Sequence, residues 1–207
     1  MRVALAGATG LVGGLLLQRL LADAQVREIH LVGRCAPGGA GGDARVRFHQ
    51  TDFARLPARP AWASVARGYC CLGTSIRAAG TREAVRAVDH DAVLAFAEAL
   101  RRAGTPDFRA VSSVGADPAS RNFYLRVKGE TERDLAALGF ASLTLFRPGL
   151  LRGARAEFRL GERLALATAP LWQLFLHGDA RRYRPTRAAD LAAAMHALPA
   201  ADGVRVW

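Results

Sequence analysis

Short apolar runs and longer amphipathic stretches alternate along the first 150 residues of the chain. The short runs have the length of strands and end at glycine, proline or polar residues, as buried parallel strands do. The predicted strands are 2–7, 27–34, 44–52, 64–74, 108–116 and 142–149. The longer stretches have helical length, and two of them stop at a glycine. The predicted helices are 11–23, 81–104 and 122–139.

This alternation predicts an α/β fold, because parallel strands that follow one another need a crossover between them. We expect a doubly wound parallel sheet with helices on both faces, built by residues 1–151. Residues 152–207 are too few for an independent domain, so we expect a small C-terminal helical cap that completes the substrate side. One helix of this cap is expected to begin at Asp190. Functional residues are expected at the carboxyl ends of the strands, where such sheets bind ligands.

Leucine, tryptophan and phenylalanine cluster within residues 158–178, which Pro170 divides. Three interpretations stay open. The segment packs in the core or against a dimer partner, it covers a hydrophobic carbonyl substrate, or it forms an interfacial membrane helix. Its polar face carries few cations, which disfavours the membrane interpretation. The chain is expected to be a monomer or a homodimer.

The net charge of +11 suggests a polyanionic partner at first sight. The arginines occur singly or in pairs, however, and form no run of five or six. A bias of composition towards arginine, alanine and glycine accounts for the charge, so we expect a small-molecule substrate and no nucleic acid.

Three cysteines, two of them adjacent, do not describe a disulfide framework. There is no Cys-x-x-Cys pair and the five histidines are scattered, so no metal site is expected. No window holds 18 uninterrupted apolar residues, and polar residues and glycines interrupt the apolar N-terminus. We therefore expect a cytosolic protein without a transmembrane segment.

Gly7, Gly10 and Gly13 directly follow the first predicted strand and open the first predicted helix. Their G-x-x-G-x-x-G spacing is weak evidence alone in a chain with 21 glycines, but its place between a strand and a helix makes it specific. Glycine lets the backbone approach a pyrophosphate, and the helix N-terminus offers unpaired N–H groups. The turn therefore predicts a dinucleotide site, with a plain glycine-rich turn as the alternative.

Arg34 ends the second predicted strand, where the adenosine ribose of a dinucleotide would lie. An acidic residue there would bind the 2′-hydroxyl group, whereas an arginine pairs with a 2′-phosphate. No Asp or Glu occurs between Glu28 and Asp43, which favours NADP over NAD. Asp52, at the end of the third predicted strand, either meets the adenine amine or caps a turn.

Lys128 is the only lysine among the 29 basic residues, and it follows Tyr124 by four positions on a predicted helix. This spacing places both side chains on one helix face. A cation beside the phenol favours its ionised form, so Tyr124 can exchange a proton with a carbonyl oxygen as hydride is transferred. The compact amine suits ribose hydroxyls better than a guanidinium does. The alternative is an incidental pair on a surface helix.

Ser112 and Ser113 end the fifth predicted strand, where a hydroxyl could steady the substrate oxygen. Alternation along the strand allows only one of them to face the site, and we favour Ser113. The alternative for each is a hydrogen bond to local backbone.

Together these motifs resemble the short-chain dehydrogenase/reductase (SDR) superfamily. The glycine spacing and the early Arg-Pro-Gly at 147–149 resemble its extended and atypical members. More narrowly, the stretches CCLGT, VDHD, SSVGAD, NFYLRVKGE and FRPGLL resemble the atypical branch that contains the Tat-interacting-protein type. The resemblance covers about residues 2–151, and it implies a Rossmann fold that binds NADP(H) in preference to NAD(H).

The candidate residues of the dinucleotide site lie at the strand ends and on the helix with the Tyr–Lys pair. They are Gly7, Thr9, Gly10, Leu11, Val12 and Gly13 at the pyrophosphate, Arg34 and Asp52 at the adenosine, Leu72, Gly73 and Thr74 at the middle of the cofactor, and Tyr124, Lys128 and Leu151 at the nicotinamide end. The resemblance implies the roles of Thr9 to Val12, Leu72, Gly73 and Leu151.

Three functions stay open. The favoured one is an NADPH-dependent oxidoreductase of a small or apolar carbonyl or alcohol, because the tyrosine and the lysine are both present. The second is an NADP(H)-binding regulatory protein with little or no turnover, as some members of this branch are. The third is an epimerase or dehydratase that retains its cofactor. The short C-terminal segment departs from the extended members that bind nucleotide-sugars.

Overall fold

The computed structural model describes residues 1–38, 42–57, 59–152 and 185–207. Within these ranges seven parallel strands form one sheet. They are β1 (Arg2–Ala6), β2 (Glu28–Gly33), β3 (Val46–Gln50), β4 (Arg67–Cys70), β5 (Asp107–Val111), β6 (Ser142–Phe146) and β9 (Gly203–Val206). Across the sheet their order is β3-β2-β1-β4-β5-β6-β9. Two short strands, β7 (Leu151–Arg152) and β8 (Thr186–Arg187), pair with each other in parallel.

The helices of the described ranges connect these strands. They are α1 (Leu11–Ala22), α2 (Ile76–Ala79), α3 (Arg82–Arg86), α4 (Ala92–Arg102), α5 (Phe123–Ala137) and α6 (Ala188–Ala197). One π-helical turn, Ala87–Asp91, joins α3 to α4, and 3-10 turns occur at Phe53–Arg55 and Ala61–Ala63.

The sheet has a hydrophobic core on each face, which confirms the predicted doubly wound α/β fold. Along β1, Val3 and Leu5 belong to one core and Ala4 and Ala6 to the other, as the two-residue period of a strand requires. Helices α1 and α6 cover the first core, and α4 and α5 cover the second. The chain order reverses between β1 and β4, and such a reversal opens a crevice at the carboxyl ends of the strands.

The predicted helix 81–104 is present with an interruption. The π-helical turn between α3 and α4 takes up one extra residue within the helix, and π-helical turns occur frequently at functional sites. The predicted strand 64–74 is shorter in the structure, because β4 ends at Cys70 and the chain continues as a loop through Leu72 and Thr74.

The C-terminal part contains a predicted helix and an unexpected strand. The helix expected to begin at Asp190 is α6, which begins two residues earlier, at Ala188, and carries Asp190 in its first turn. The apolar segment 158–178 lies outside the described residues. β9 extends the main sheet beside β6, with Val204 opposite Leu143 and Val206 opposite Leu145. None of the helices in the described ranges is long and apolar enough to cross a membrane.

Candidate active site

The turn between β1 and α1 has a backbone that only glycine accommodates at two positions. Gly7 has φ +85°, and a Cβ atom on it would lie 2.5 Å from the carbonyl group of Cys71. A Cβ atom on Gly13 would lie 2.1 Å from the carbonyl oxygen of Gly7. Gly10 precedes α1, and no side chain caps the first turn of this helix. The N–H groups in the first turn of α1 are therefore available to bind an anion such as a pyrophosphate.

A cleft of about 430 Å³ opens beside this turn at the carboxyl ends of β1 and β2. Gly7 and Thr9 line one side, Gly33 and Arg34 line another, and Leu72 contributes from the loop after β4. Arg34 is exposed at this cleft and has no carboxylate partner among the described residues. The cradle of close backbone and the free guanidinium fit an elongated, phosphate-bearing group such as a dinucleotide.

Asp52 caps the 3-10 turn that begins at Phe53. Its carboxylate accepts a hydrogen bond from the backbone N–H of Ala54 at 3.1 Å. Capping is therefore the role that the structure provides, while a contact with adenine stays a prediction. Phe53 itself lines the cleft.

Tyr124 and Lys128 lie one turn apart near the start of α5. Asn122 caps this helix, since its side-chain oxygen accepts hydrogen bonds from the N–H groups of Tyr124 at 2.9 Å and Leu125 at 3.2 Å. The Lys128 Nζ atom lies 5.9 Å from the centre of the Tyr124 ring. Tyr124 is partly exposed, whereas Lys128 is only 4 % exposed. The pair thus presents a phenol towards solvent and a buried amine behind it.

The partner of Lys128 is a residue that the sequence interpretation missed. Asp89, in the π-helical turn, is fully buried, and its Oδ1 atom lies 2.7 Å from Lys128 Nζ. The other carboxylate oxygen accepts a hydrogen bond from the backbone N–H of Thr74 at 2.8 Å. Burial by itself lowers the pKa of the Lys128 amine, but Asp89 and the Tyr124 phenol outweigh burial, so that the pKa lies above its ordinary value. The amine is therefore held in its charged form.

A signal for Asp89 was present in the sequence. Val85, Asp89 and Val93 recur at four-residue spacing, and all three are buried. A carboxylate on the apolar face of a helix requires a buried partner, because an unpaired charge in the interior is costly.

The two serines differ in their surroundings. Ser112 is buried, and its hydroxyl has no partner among the described residues. Ser113 is partly exposed, and its hydroxyl donates to the carbonyl oxygen of Val114 at 3.3 Å. A buried hydroxyl without a partner is uncommon and often marks a functional position. Which serine acts on a substrate stays a prediction.

Leu151 and Gly73 lie on two other elements, β7 and the loop after β4. Leu151 is half-buried, and Gly149, two residues before it, donates its N–H to the Thr186 hydroxyl at 3.2 Å. A Cβ atom on Gly73 would lie 3.4 Å from Asp89 Oδ1 and 3.8 Å from Lys128 Nζ, so the loop after β4 covers the ion pair closely. The described residues contain no group of three or more metal-ligating side chains.

The fold has many counterparts among solved structures. MoeE5 in complex with UDP-glucose and NAD superimposes with a TM-score of 0.75 at 18% identity, covering 100% of this chain and 75% of that one. UDP-glucose 4-epimerase from Thermotoga maritima gives a TM-score of 0.71 at 14% identity, covering 100% and 76%. At these identities the likeness concerns the fold. It defines the class of protein as one with a Rossmann-type fold.

Curated relatives define the family. Mitochondrial protein fmp52 of Emericella nidulans is 37% identical over 174 residues, which span 79% of this chain and 72% of that protein. Rat HTATIP2 is 39% identical over 170 residues, which span 77% of this chain and 66% of that protein. No family model matches the chain. The chain belongs to the FMP52/HTATIP2 family, an atypical branch of the SDR superfamily, as its motifs indicated.

The names of the relatives correct one prediction. The fungal relatives, from Emericella nidulans, Coccidioides immitis and Aspergillus fumigatus among others, are named as mitochondrial proteins. The expectation of a cytosolic protein is therefore wrong. It relied on the absence of an apolar leader, and such an absence does not exclude an organelle that is reached by other signals.

Proposed function

We propose that this protein is an NADP(H)-dependent oxidoreductase that acts on a small or apolar carbonyl or alcohol. The observation that carries the proposal is the Tyr124–Lys128 pair, in which a partly exposed phenol lies in front of a buried, charged amine. A structural helix face would not require a buried lysine at this position.

Each residue of the pair has a separate task in this proposal. A bound dinucleotide would supply or accept hydride at the substrate carbon. Tyr124 would donate or accept the proton at the substrate oxygen, so that carbonyl and alcohol interconvert with hydride and proton accounted for. Lys128 would bind the ribose hydroxyls and stabilise negative charge on the phenol. Ser112 or Ser113 would steady the substrate oxygen.

Support for NADP(H) over NAD(H) comes from Arg34. Solved neighbours such as MoeE5 are described with NAD, so the preference proposed for this chain depends on its own residues. The guanidinium of Arg34 is exposed at the cleft without a carboxylate partner among the described residues, as a 2′-phosphate would require.

Substitution of Arg34 tests the cofactor preference. The Arg34→Ala protein should bind NADPH about ten- to a hundred-fold more weakly, the range for losing a charged hydrogen-bonded pair, and should bind NADH as before. Arg27→Ala is the matched control, since Arg27 precedes β2 at the opposite edge of the sheet and is also exposed. Equal affinities for NADPH and NADH in wild type and in Arg34→Ala would contradict the preference.

Substitution of Tyr124 tests turnover. With a panel of carbonyl compounds, Tyr124→Phe should lower the rate of NADPH oxidation by about 10²- to 10⁴-fold and leave NADPH affinity unchanged. Tyr69→Phe is the control, because Tyr69 is a buried phenol at the third position of β4, away from α5.

A regulatory protein that binds NADP(H) without turnover is the second candidate. The observation that favours it is the ion pair of Lys128 with Asp89, since binding a ribose is sufficient reason for a fixed lysine. NADPH binding without any oxidation that depends on Tyr124 would establish this alternative over the oxidoreductase. Turnover without net oxidation of the nicotinamide would instead indicate an epimerase.

A further inference from the structure

Asp89 occupies an unusual place in the helix that leads to α4. It lies at the middle of the π-helical turn Ala87–Asp91, and its side chain points into the interior, where it is fully buried. π-Helical turns are rare within α-helices and occur frequently at functional sites. The side chain at the middle of this π-helical turn is the partner of Lys128.

Neighbouring contacts fix the π-helical turn against α5. The Thr131 hydroxyl shares its hydrogen between the carbonyl oxygens of Asp89, at 3.0 Å, and Val127, at 2.8 Å. The His90 ring lies between two carboxylates, with Nδ1 2.7 Å from Asp91 and Nε2 2.9 Å from Asp134 of α5. The backbone of Asp89 and the side chain of the next residue, His90, are thus bound to the helix that carries Lys128, which fixes the height of the carboxylate relative to the amine.

The Asp89 carboxylate also reaches the loop after β4. One of its oxygens accepts a hydrogen bond from the N–H of Thr74, and the other lies 2.7 Å from the Lys128 Nζ atom. Gly73 covers this contact with backbone alone. One buried carboxylate therefore links the amine of α5 to the loop that borders the dinucleotide cleft.

Three titratable groups face the Lys128 amine. They are Asp89 from the π-helical turn, Tyr124 from α5 itself and Cys70 from β4. Burial raises the pKa of Cys70 to about 12, so its thiol stays neutral. Asp89 is thus the group that supplies the countercharge for the buried amine.

We propose that Asp89 is a positioning residue that holds Lys128 as a fixed, permanently charged anchor and aligns it with the loop Gly73–Thr74. Lys128 then contributes charge and hydrogen bonds and does not release its own proton during a reaction cycle. The alignment matters for function only if this loop borders a bound dinucleotide, and in that respect the inference rests on the proposed function.

The single lysine makes this proposal directly measurable. Selective ¹⁵N labelling of lysine gives one side-chain amine resonance, which reports the charge of Lys128 without cofactor or substrate. In the wild-type protein this resonance should stay that of an ammonium up to about pH 10. In Asp89→Asn the transition should move down by about 1 to 3 pH units, because the amine is then buried without a countercharge.

A control variant that removes a carboxylate away from Lys128 shows whether the effect of Asp89→Asn is specific to its position. Glu83→Gln removes an exposed carboxylate six residues earlier, in α3, and should leave the Lys128 resonance unchanged. In parallel, NADPH should bind Asp89→Asn about ten- to a hundred-fold more weakly and Glu83→Gln as tightly as wild type.

The outcomes distinguish this proposal from the proposed function. A wild-type Lys128 that loses its proton near neutral pH overturns the positioning role even if Asp89→Asn does not fold. A transition that is identical in wild type and folded Asp89→Asn also overturns it. Because the amine resonance needs no turnover, a failed search for carbonyl substrates would leave this test intact.

Discussion

Two groups of buried charges lie at opposite ends of the parallel strands, and they differ in how fully their polar atoms are paired. We call the side of the sheet where the strands begin the amino edge, and the side where they end the carboxyl edge. At the amino edge, Arg67 and Arg109 share the carboxylate of Asp107, with Arg109 Nη2 3.1 Å and Arg67 Nε 2.5 Å from Oδ2. Both guanidinium groups also lie 5.9 Å from the centre of the Tyr69 ring, and Arg109 donates to the Met195 carbonyl oxygen at 2.6 Å. Each of these side chains therefore has partners within the protein.

The carboxyl edge is less complete. Lys128 has one carboxylate partner, Asp89 at 2.7 Å, and the buried Ser112 hydroxyl has no partner among the described residues. Complete networks stabilise and specify a fold, whereas incomplete ones are found where a ligand or a reaction makes use of the remaining groups. We therefore interpret the amino-edge cluster as structural and the carboxyl-edge pair as functional.

The largest expected effect comes from breaking the amino-edge cluster. Arg109→Met should lower the free energy of unfolding by about 3–5 kcal/mol, because Asp107 and the Met195 carbonyl lose a fully buried partner. NADPH affinity should not change. Urea titration and cofactor titration of the same preparation measure both quantities. Arg133→Ala, which removes a surface ion pair, is the control and should leave the unfolding transition in place. Weakened NADPH binding in Arg109→Met would contradict the division between the two edges.

Removal of Lys128 should have a smaller effect on stability and a larger one on binding. Lys128→Met leaves the Asp89 carboxylate buried without a countercharge, and the free energy of unfolding should fall by about 3 kcal/mol. The double variant Lys128→Met with Asp89→Leu should regain most of this loss, because replacing both charges by apolar groups is often neutral.

NADPH binding should not return in this double variant. Restored stability without restored binding, measured by urea and cofactor titration, would mark the pair as functional. Recovery of both would mean that the pair serves only the fold.

The smallest expected effect is the pH dependence of stability that His196 causes at the amino edge. Burial lowers the pKa of His196, and nearby arginines act in the same direction, while Asp23 at 3.2 Å opposes them. The unfolded state, with an ordinary value near 6.5, therefore takes up the proton first as the pH falls. Stability should decrease below about pH 6.5 and be fully present above it.

Thermal unfolding at several pH values checks this dependence. His30 and His49 also have lowered pKa values because of burial, so His196→Gln should remove only part of the decrease. An unchanged slope in His196→Gln would exclude His196 as a contributor.

Local sequence signals predicted most of the sheet and the glycine turn. Four apolar residues, 3–6, make up most of β1, and the glycines that follow have the spacing that the turn requires. Both features can therefore be recognised within about a dozen residues. Tyr124 and Lys128 were found for the same reason, since their spacing within one helix is a local property.

Features that depend on distant contacts were missed. Asp89 was hidden inside a helix that looked regular, and its partner lies 39 positions later in the chain. β9 has only four residues, and its two valines are more than half exposed, so its apolar pattern is faint. It becomes a strand because the backbone of β6 is free to pair on that side, and the residues around 203–206 alone do not show this.

The pairing of β7 with β8 has a consequence for the elements on either side of it. Leu151 lies opposite Thr186 and Arg152 opposite Arg187, so the chain departs from and returns to one place beside the sheet. The pairing therefore holds together two parts of the chain that are 35 positions apart, so that β6 before it and α6 after it keep their places relative to one another.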